Sequence, residues 1–243
     1  MRYKNLTCNR LHVFICHMID VTCISDLHGF LPSNLPGGDL LIVAGDHTAR
    51  DREDEYFKFF DWLSSQLYDQ KIIIAGNHDG LLEREEYKGP VGQEFIYLCD
   101  SGCEYKGLKI WGSPYTKRFY GQNPACMAFA VDLEAQLGDH WAMIPTDIDI
   151  LITHTPPYDI LDRNYHNSRC GSQSLSDWVM ASRPNLQLHV FGHIHGSSGV
   201  ETIAHRTFCN ASYVDEDYMP VNGYKRFLID SNDKKSDCVI VTN

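Results

Sequence analysis

Five apolar runs each end in a short polar motif rich in Asp, Asn and His, and this repeated pairing constrains the fold more than any other feature of the chain. The runs occupy residues 21–24, 40–44, 72–75, 148–152 and 188–191. They lead into Asp26-Leu27-His28-Gly29, Gly45-Asp46-His47, Gly76-Asn77-His78-Asp79, Thr153-His154-Thr155-Pro156-Pro157 and Gly192-His193-Ile194-His195-Gly196. Continuous apolar runs, rather than alternating ones, mark strands buried on both faces. Open α/β sheets place their sites beyond the carboxyl ends of such strands. The five motifs are therefore expected to meet in space.

What would meet there is a set of carboxylate, amide and imidazole donors with no thiolate among them. Such donors suit Zn, Mn, Fe, Ni or Mg rather than a soft metal or an iron–sulfur cluster. Taken singly, each residue has a plainer reading: His154 as a core histidine, Asn77 as a turn residue, Asp26 as a cap.

With 243 residues, the chain suits a single domain spanning residues 1–243, with its motif core at about 21–212. Hydrophobic content of 43% and charged content of 22% are those of an ordinary globular protein. The formal charge of −11 argues against long nucleic acid as a partner, because that affinity rests on neutralising phosphates. The doublets Lys117-Arg118, Lys225-Arg226 and Lys234-Lys235 are scattered and read as solvated surface. Nine cysteines, an odd number without paired C-x-x-C spacing, argue against a disulfide framework or a structural zinc site. Cys23 and Cys209 read as small buried hydrophobes, and a reducing, cytoplasmic setting is expected. Residues 11–19 are apolar apart from His12 and His17 and read as an extra strand rather than a signal peptide. No segment approaches the roughly 20 apolar residues of a membrane span.

Between the motifs, Tyr56, Phe59, Phe60, Trp62, Leu63 and Leu67 recur at helical spacing and predict a helix joining two parallel strands, its aromatic stripe in the core. Residues 31–38 read as a loop and 83–92 as a surface excursion. Residues 95–98, 104–105 and 108–111 predict short strands of a second sheet. Helices are expected over 132–141 and 172–181, a hairpin over 200–203 and 206–209, and closing strands over 224–229 and 238–241.

The five motifs resemble, in order, the D-x-H, G-D, G-N-H-[D/E], H and G-H-x-H signature of the calcineurin-like metallophosphoesterases. The resemblance implies a four-layer α/β/β/α sandwich with two mixed sheets and a dinuclear metal centre at one edge. It implies Asp46 as the ligand shared by both ions, Asp26, His28 and His195 on the first, and Asn77, His154 and His193 on the second. A metal-bridging hydroxide would attack phosphorus. His78 matches the family's catalytic histidine, acting on the leaving oxygen, and Asp79 is expected to orient its ring. His193 and His195 would share a face of an ideal strand while serving different ions, so a bend after Gly192 is expected. His47 reads as packing or pocket lining, and His12, His17, His140, His166, His189 and His205 match no ligand position.

A narrower likeness joins the chain to metallophosphoesterase-domain-containing proteins and class III cyclic nucleotide phosphodiesterases. It rests on Phe60-Asp61-Trp62-Leu63, Ile74-Ala75-Gly76-Asn77-His78-Asp79, Trp111-Gly112-Ser113-Pro114-Tyr115, Asp149-Ile150-Leu151-Ile152-Thr153-His154 and Val190-Phe191-Gly192-His193-Ile194-His195. Leu27 and His47 depart from that branch's D-T-H and G-D-F-T and leave substrate preference open. Trp111 reads as core, and Tyr115 as either packing or a nucleobase contact. The resemblance implies hydrolysis of a small phosphodiester such as a cyclic nucleotide. The alternatives are a phosphomonoesterase or nucleotide pyrophosphohydrolase on the same centre, or a non-enzymatic protein-binding scaffold.

Overall fold

The computed structural model describes residues 18–87, 94–119, 126–234 and 236–241; the expected extra strand over 11–19 lies outside them except at its end. Three of the apolar runs become β1 (Met18–Ile24), β2 (Gly38–Ala44) and β3 (Tyr68–Ile74). These pair in parallel, with Val21 opposite Leu40 and Ile42 opposite Ile72. Strands β4 (Ile96–Tyr97), β13 (Lys225–Asp230) and β14 (Val239–Ile240) complete a mixed sheet of order β14-β13-β1-β2-β3-β4, with β4 and β14 at its edges. Two further runs give β9 (Ile150–Thr153) and β10 (Leu188–Phe191). With β5 (Ser101–Tyr105), β6 (Leu108–Ser113), β11 (Gly199–Ile203) and β12 (Arg206–Asn210) they form the second mixed sheet, order β11-β12-β10-β9-β6-β5. A parallel two-stranded piece pairs β7 (Thr116–Lys117) with β8 (Ala130–Val131).

Side chains alternate across a strand, so each central strand feeds two cores. Leu40, Ile42 and Ala44 of β2 meet Ile150, Ile152, Leu188 and Val190 of the opposite sheet in one fully buried cluster. Leu41 and Val43 point the other way, against helix α1 (Glu53–Ser65) through Tyr56, Phe59, Phe60, Trp62 and Leu63. Across the second sheet, Leu151, Phe191 and Phe208 pack on α3 (Glu134–Ala142) and α4 (Gln173–Met180), which follow the short α2 (Gly80–Glu83). This is the expected four-layer arrangement of two facing mixed sheets with helices outside.

Two expectations are corrected. Residues 96–97 join β3 at the edge of the first sheet, with Ile72 opposite Ile96, and not the second sheet. Leu67 lies beyond the end of α1 and is 83% exposed, so it is not part of the core stripe. Its backbone instead serves the turn into β2, where the Gly38 amide donates to Leu67 O at 3.0 Å. No helix among the described residues is long and apolar enough to cross a membrane.

Candidate metal centre

All five motifs leave the carboxyl ends of their strands on the same edge of the sandwich. Asp26 and His28 follow β1, Asp46 follows β2, Asn77 and His78 follow β3, His154 follows β9, and His193 and His195 follow β10. Asp26, His28 and His195 place one ligand atom each within 4.8 Å of one another, as do Asp46, His154 and His193, and as do His28, Asp46 and His78. The residues expected on each ion are thus brought together, with Asp46 touching both groups. His193 and His195 part company as expected: β10 stops at Phe191, His193 takes a left-handed φ of 69°, and His195 begins a 3₁₀ turn.

Backbone strain is concentrated here. Asp26 (φ 51°), His28 (43°) and Asp46 (53°) share that left-handed region, which costs a non-glycine residue of order 1–3 kcal/mol and recurs at functional sites. Glycines let the strand ends approach. A Cβ on Gly192 would stand 2.1 Å from Asp26 Oδ2, and one on Gly76 2.2 Å from Asp46 Oδ1.

Hydrogen bonds outside the centre aim the donors inward. His154 Nδ1 lies 3.0 Å from Ala44 O and His195 Nδ1 3.1 Å from Asp215 O. A carbonyl only accepts, so both Nδ1 atoms carry hydrogen and Nε2 is the atom each ring turns inward; once bare, it is the nitrogen that binds metals. Asn77 Nδ2 donates to Cys126 O at 3.0 Å, which turns Oδ1 inward, 3.0 Å from His154 Nε2. Thr116 Oγ1 supports His193 Nε2 at 3.2 Å. Asp26 accepts from the His193 amide and, at 2.7 Å, from Ser212 Oγ.

Inside, acceptors face acceptors. His154 Nε2 is 3.4 Å from Asp46 Oδ2, His195 Nε2 is 3.4 Å from Asp26 Oδ1, and the Nε2 atoms of His28 and His195 are 3.2 Å apart. Such an arrangement needs a positive charge in its middle, supplied by protons or by metal ions. Burial alone would lower the His154 pKa, but the Asp46 charge outweighs it and holds the ring up at about 9. His28 and His193, for which burial wins, fall to about 3 and are neutral donors. A cation would take the place of those protons, and the oxygen and imidazole donors fit one.

His78 stands edge-on to His28, ring centroids 4.5 Å apart. Its amide donates to Asp46 Oδ1 at 2.9 Å, and its Nδ1 donates to Ala49 O at 3.1 Å. Asp79, expected to orient this ring, does something else. Its buried carboxylate accepts from the amides of Gly76 (2.8 Å), His47 (3.1 Å) and Thr48 (3.2 Å), pinning the β2 and β3 loops together. Asp79 lies just before the short helix α2, turned to those amides, and Ala49 is the residue whose carbonyl holds the His78 ring. His47 is buried and stacks on Phe59 at 4.0 Å, a packing role. His140 bonds Asp100 and stacks on Tyr115 at 3.5 Å, so Tyr115 packs, while buried His189 bonds Thr153. His12 and His17 lie outside the described residues.

Sequence reasoning did not single out the residues that wall the cleft. Phe119, Asn164, Tyr165, Glu216 and Tyr218 come from loops distant in the chain, and no motif marks them. Tyr218 stands edge-on over His28 (4.8 Å) and His195 (5.2 Å).

A two-sheet sandwich with imidazoles and carboxylates gathered at its strand ends is the architecture of a metal-dependent phosphoesterase. The chain belongs to the calcineurin-like phosphoesterase family, whose model matches residues 19–197, and the chemistry of that family is metal-dependent hydrolysis of phosphate esters. Metallophosphoesterase domain-containing protein 1 of Homo sapiens is 36% identical over 226 residues, covering 82% of this chain and 68% of that protein. A UPF0046 protein of Caenorhabditis elegans is 35% identical over 217 residues, covering 79% and 74%. A probable rhamnogalacturonate lyase C of Emericella nidulans is 41% identical over 201 residues, which cover 77% of this chain and 18% of that protein. A solved crystal structure aligns with a TM-score of 0.61 at 13% identity, over 93% of this chain and 99% of its own, a likeness of fold.

Proposed function

We propose that the chain hydrolyses small-molecule phosphodiesters at a dinuclear centre. Asp26, His28 and His195 would hold one ion, Asn77, His154 and His193 the other, and Asp46 would serve both. Bound there, the ions supply a water that ionises near neutral pH and positive charge against the phosphoryl oxygens. The chain's own part is to aim the donors through Ala44, Asp215 and Thr116, and to bring a proton to the departing oxygen. His78 suits that task. Burial lowers its pKa, but Asp46, the Cys126 side chain and the Ala49 carbonyl outweigh burial and hold it up at about 10 in the metal-free chain, the direction a proton donor needs.

One observation favours a diester over a monoester. Two pockets open from the centre and both are lined by His78 and Tyr218: one continues past Asn77, His193 and Phe119 to Asn164 and Tyr165, the other past His28 to Phe30, Ala49 and Arg50. A phosphorus with two carbon substituents has an arm for each, whereas a monoester leaves one empty. The test is a chelated protein reloaded with Mn²⁺ and assayed on bis(4-nitrophenyl) phosphate and 4-nitrophenyl phosphate. The diester is expected to be the better substrate by kcat/KM, and a strong monoester preference would move the chain to the phosphomonoesterase reading.

A further inference from the structure

The second pocket is lined by one guanidinium cation, Arg50. Along the neighbouring chain, Arg52 and Lys58 both pair with Asp54, at 3.0 and 3.1 Å, and Arg84 is held by Asp51 and Glu86. Glu55, the next carboxylate, is committed to backbone, accepting from the amides of Arg50 at 3.0 Å and Arg52 at 3.2 Å. The Arg50 guanidinium itself has no carboxylate partner among the described residues. An exposed arginine with no carboxylate partner thus lines the pocket that also holds His78, in a chain of net charge −11. Two exposed aromatic side chains share the wall with it: Phe30 is 40% and Tyr218 47% exposed. Phe30 is turned out by a tight bend in which its amide donates to Leu27 O at 2.7 Å.

We infer that this pocket receives the departing arm of the substrate, and that Arg50 is a specificity-determining residue for an arm carrying a planar ring and a negative charge of its own. A nucleotide unit bearing a further phosphate has that chemistry. The inference rests on the diesterase reading and goes beyond it. Water oxygen bonds to phosphorus, the bond from phosphorus to the arm's oxygen breaks, its electron pair leaves with that oxygen, and His78 supplies the proton. His78 borders both pockets, but its two ring contacts, Ala49 O at 3.1 Å and the His28 ring at 4.5 Å between centroids, line the Arg50 pocket and not the other, so the arm in this pocket is the one released. Guanidinium offers a planar fork to a carboxylate or phosphate, while exposed rings supply stacking surface. A small cyclic diester, with both ester oxygens on one sugar, has no separate arm to reach Arg50.

The experiment compares two methyl phosphodiesters on the Mn²⁺-loaded protein, one releasing 4-nitrophenol and the other 3-carboxy-4-nitrophenol. Wild type is expected to favour the carboxylated arm, mainly through KM. In Arg50→Gln the ratio of the two kcat/KM values should fall roughly ten- to a hundredfold, the scale of one charge-assisted hydrogen bond, and Arg50→Lys should keep part of it. An unchanged ratio in Arg50→Gln overturns the inference. So does an equal loss on both substrates, which assigns Arg50 to the phosphate they share. If wild type cleaves neither diester yet cleaves 4-nitrophenyl phosphate, the diesterase reading itself fails, and the inference with it.

Discussion

At the scale of single residues, His78 separates binding from chemistry. Its ring is held by Ala49 O and its amide by Asp46 Oδ1, so truncating the side chain leaves the backbone link to Asp46 in place. His78→Ala is expected to keep near-normal metal content while kcat falls by roughly 10²–10⁴, the range of general acid catalysis. The fall should be smaller for nitrophenyl esters than for alkyl esters, because a weakly basic oxygen needs little help from a proton; loss of metal would instead make the ring a ligand. Gly192→Ala acts on space alone. Its Cβ would stand 2.1 Å from Asp26 Oδ2 and 2.2 Å from Ser25 Oγ, so elemental analysis should show metal lost and activity lost with it. Asp26, His28, Asp46, Asn77, His154, His193 and His195 were legible as candidates because their types and their positions after apolar runs are local facts. The partners of Asp79 were not, since it bonds backbone amides of a loop some 30 residues away, and an amide carries no sequence signal.

At the scale of elements, legibility followed length. The central strands and α1 announce themselves through continuous or helical apolar spacing, whereas the pair Ile96–Tyr97 is too short to say which sheet it joins, and the Thr116–Lys117 and Ala130–Val131 pairing has no pattern at all. The loops bearing Tyr165 and Tyr218 are equally silent, because only the fold brings them to the cleft. Helix α4 shows how a polar cap ties two outer helices together. Ser172 Oγ accepts from Leu175 N at 3.2 Å and Trp141 Nε1 at 3.1 Å and donates to Glu134 Oε1 at 2.7 Å. Ser172→Ala should therefore cost about 1–2 kcal/mol by urea denaturation, the worth of an N-cap, without change in metal content. Burial raises the Glu134 carboxyl pKa, but the Ser172 and Ser174 hydroxyls and the Ser174 amide outweigh it and hold it below the usual range. A depressed folded pKa gives stability that is present above the unfolded value and lost as pH falls through the folded one. The cost of Ser172→Ala should accordingly shrink when measured below that range, and a cost independent of pH would detach Glu134 from the cap.

For the whole molecule, folding drives two buried carboxylates together: Asp26 is 0% and Asp46 2% exposed, and their charges repel. Histidines drawn from both sheets surround them, so the centre lies where the two sheets meet and exists only when both are in place. An ion that binds the folded chain and not the unfolded one adds RT ln(1 + [L]/Kd), about 2.7 kcal/mol at a hundredfold excess over Kd. In a domain of this size, that is a rise in Tm of roughly 5–10 °C. Adding Mn²⁺ to chelated protein is expected to produce it in a thermal melt. Because Asp46 contacts both ligand groups whereas Asn77 belongs to one, Asp46→Ala should abolish most of the rise and bind little metal, while Asn77→Ala should keep part of the rise and about one equivalent. The apo form of Asp46→Ala should melt below the chelated wild type, since the variant leaves the His78 amide without its acceptor and removes the charge that faces His154, so the quantity compared is the Mn²⁺-induced rise within each protein. A full Mn²⁺-induced rise in Asp46→Ala would show that the ions are held without a shared carboxylate, and the two-ion assignment would fall.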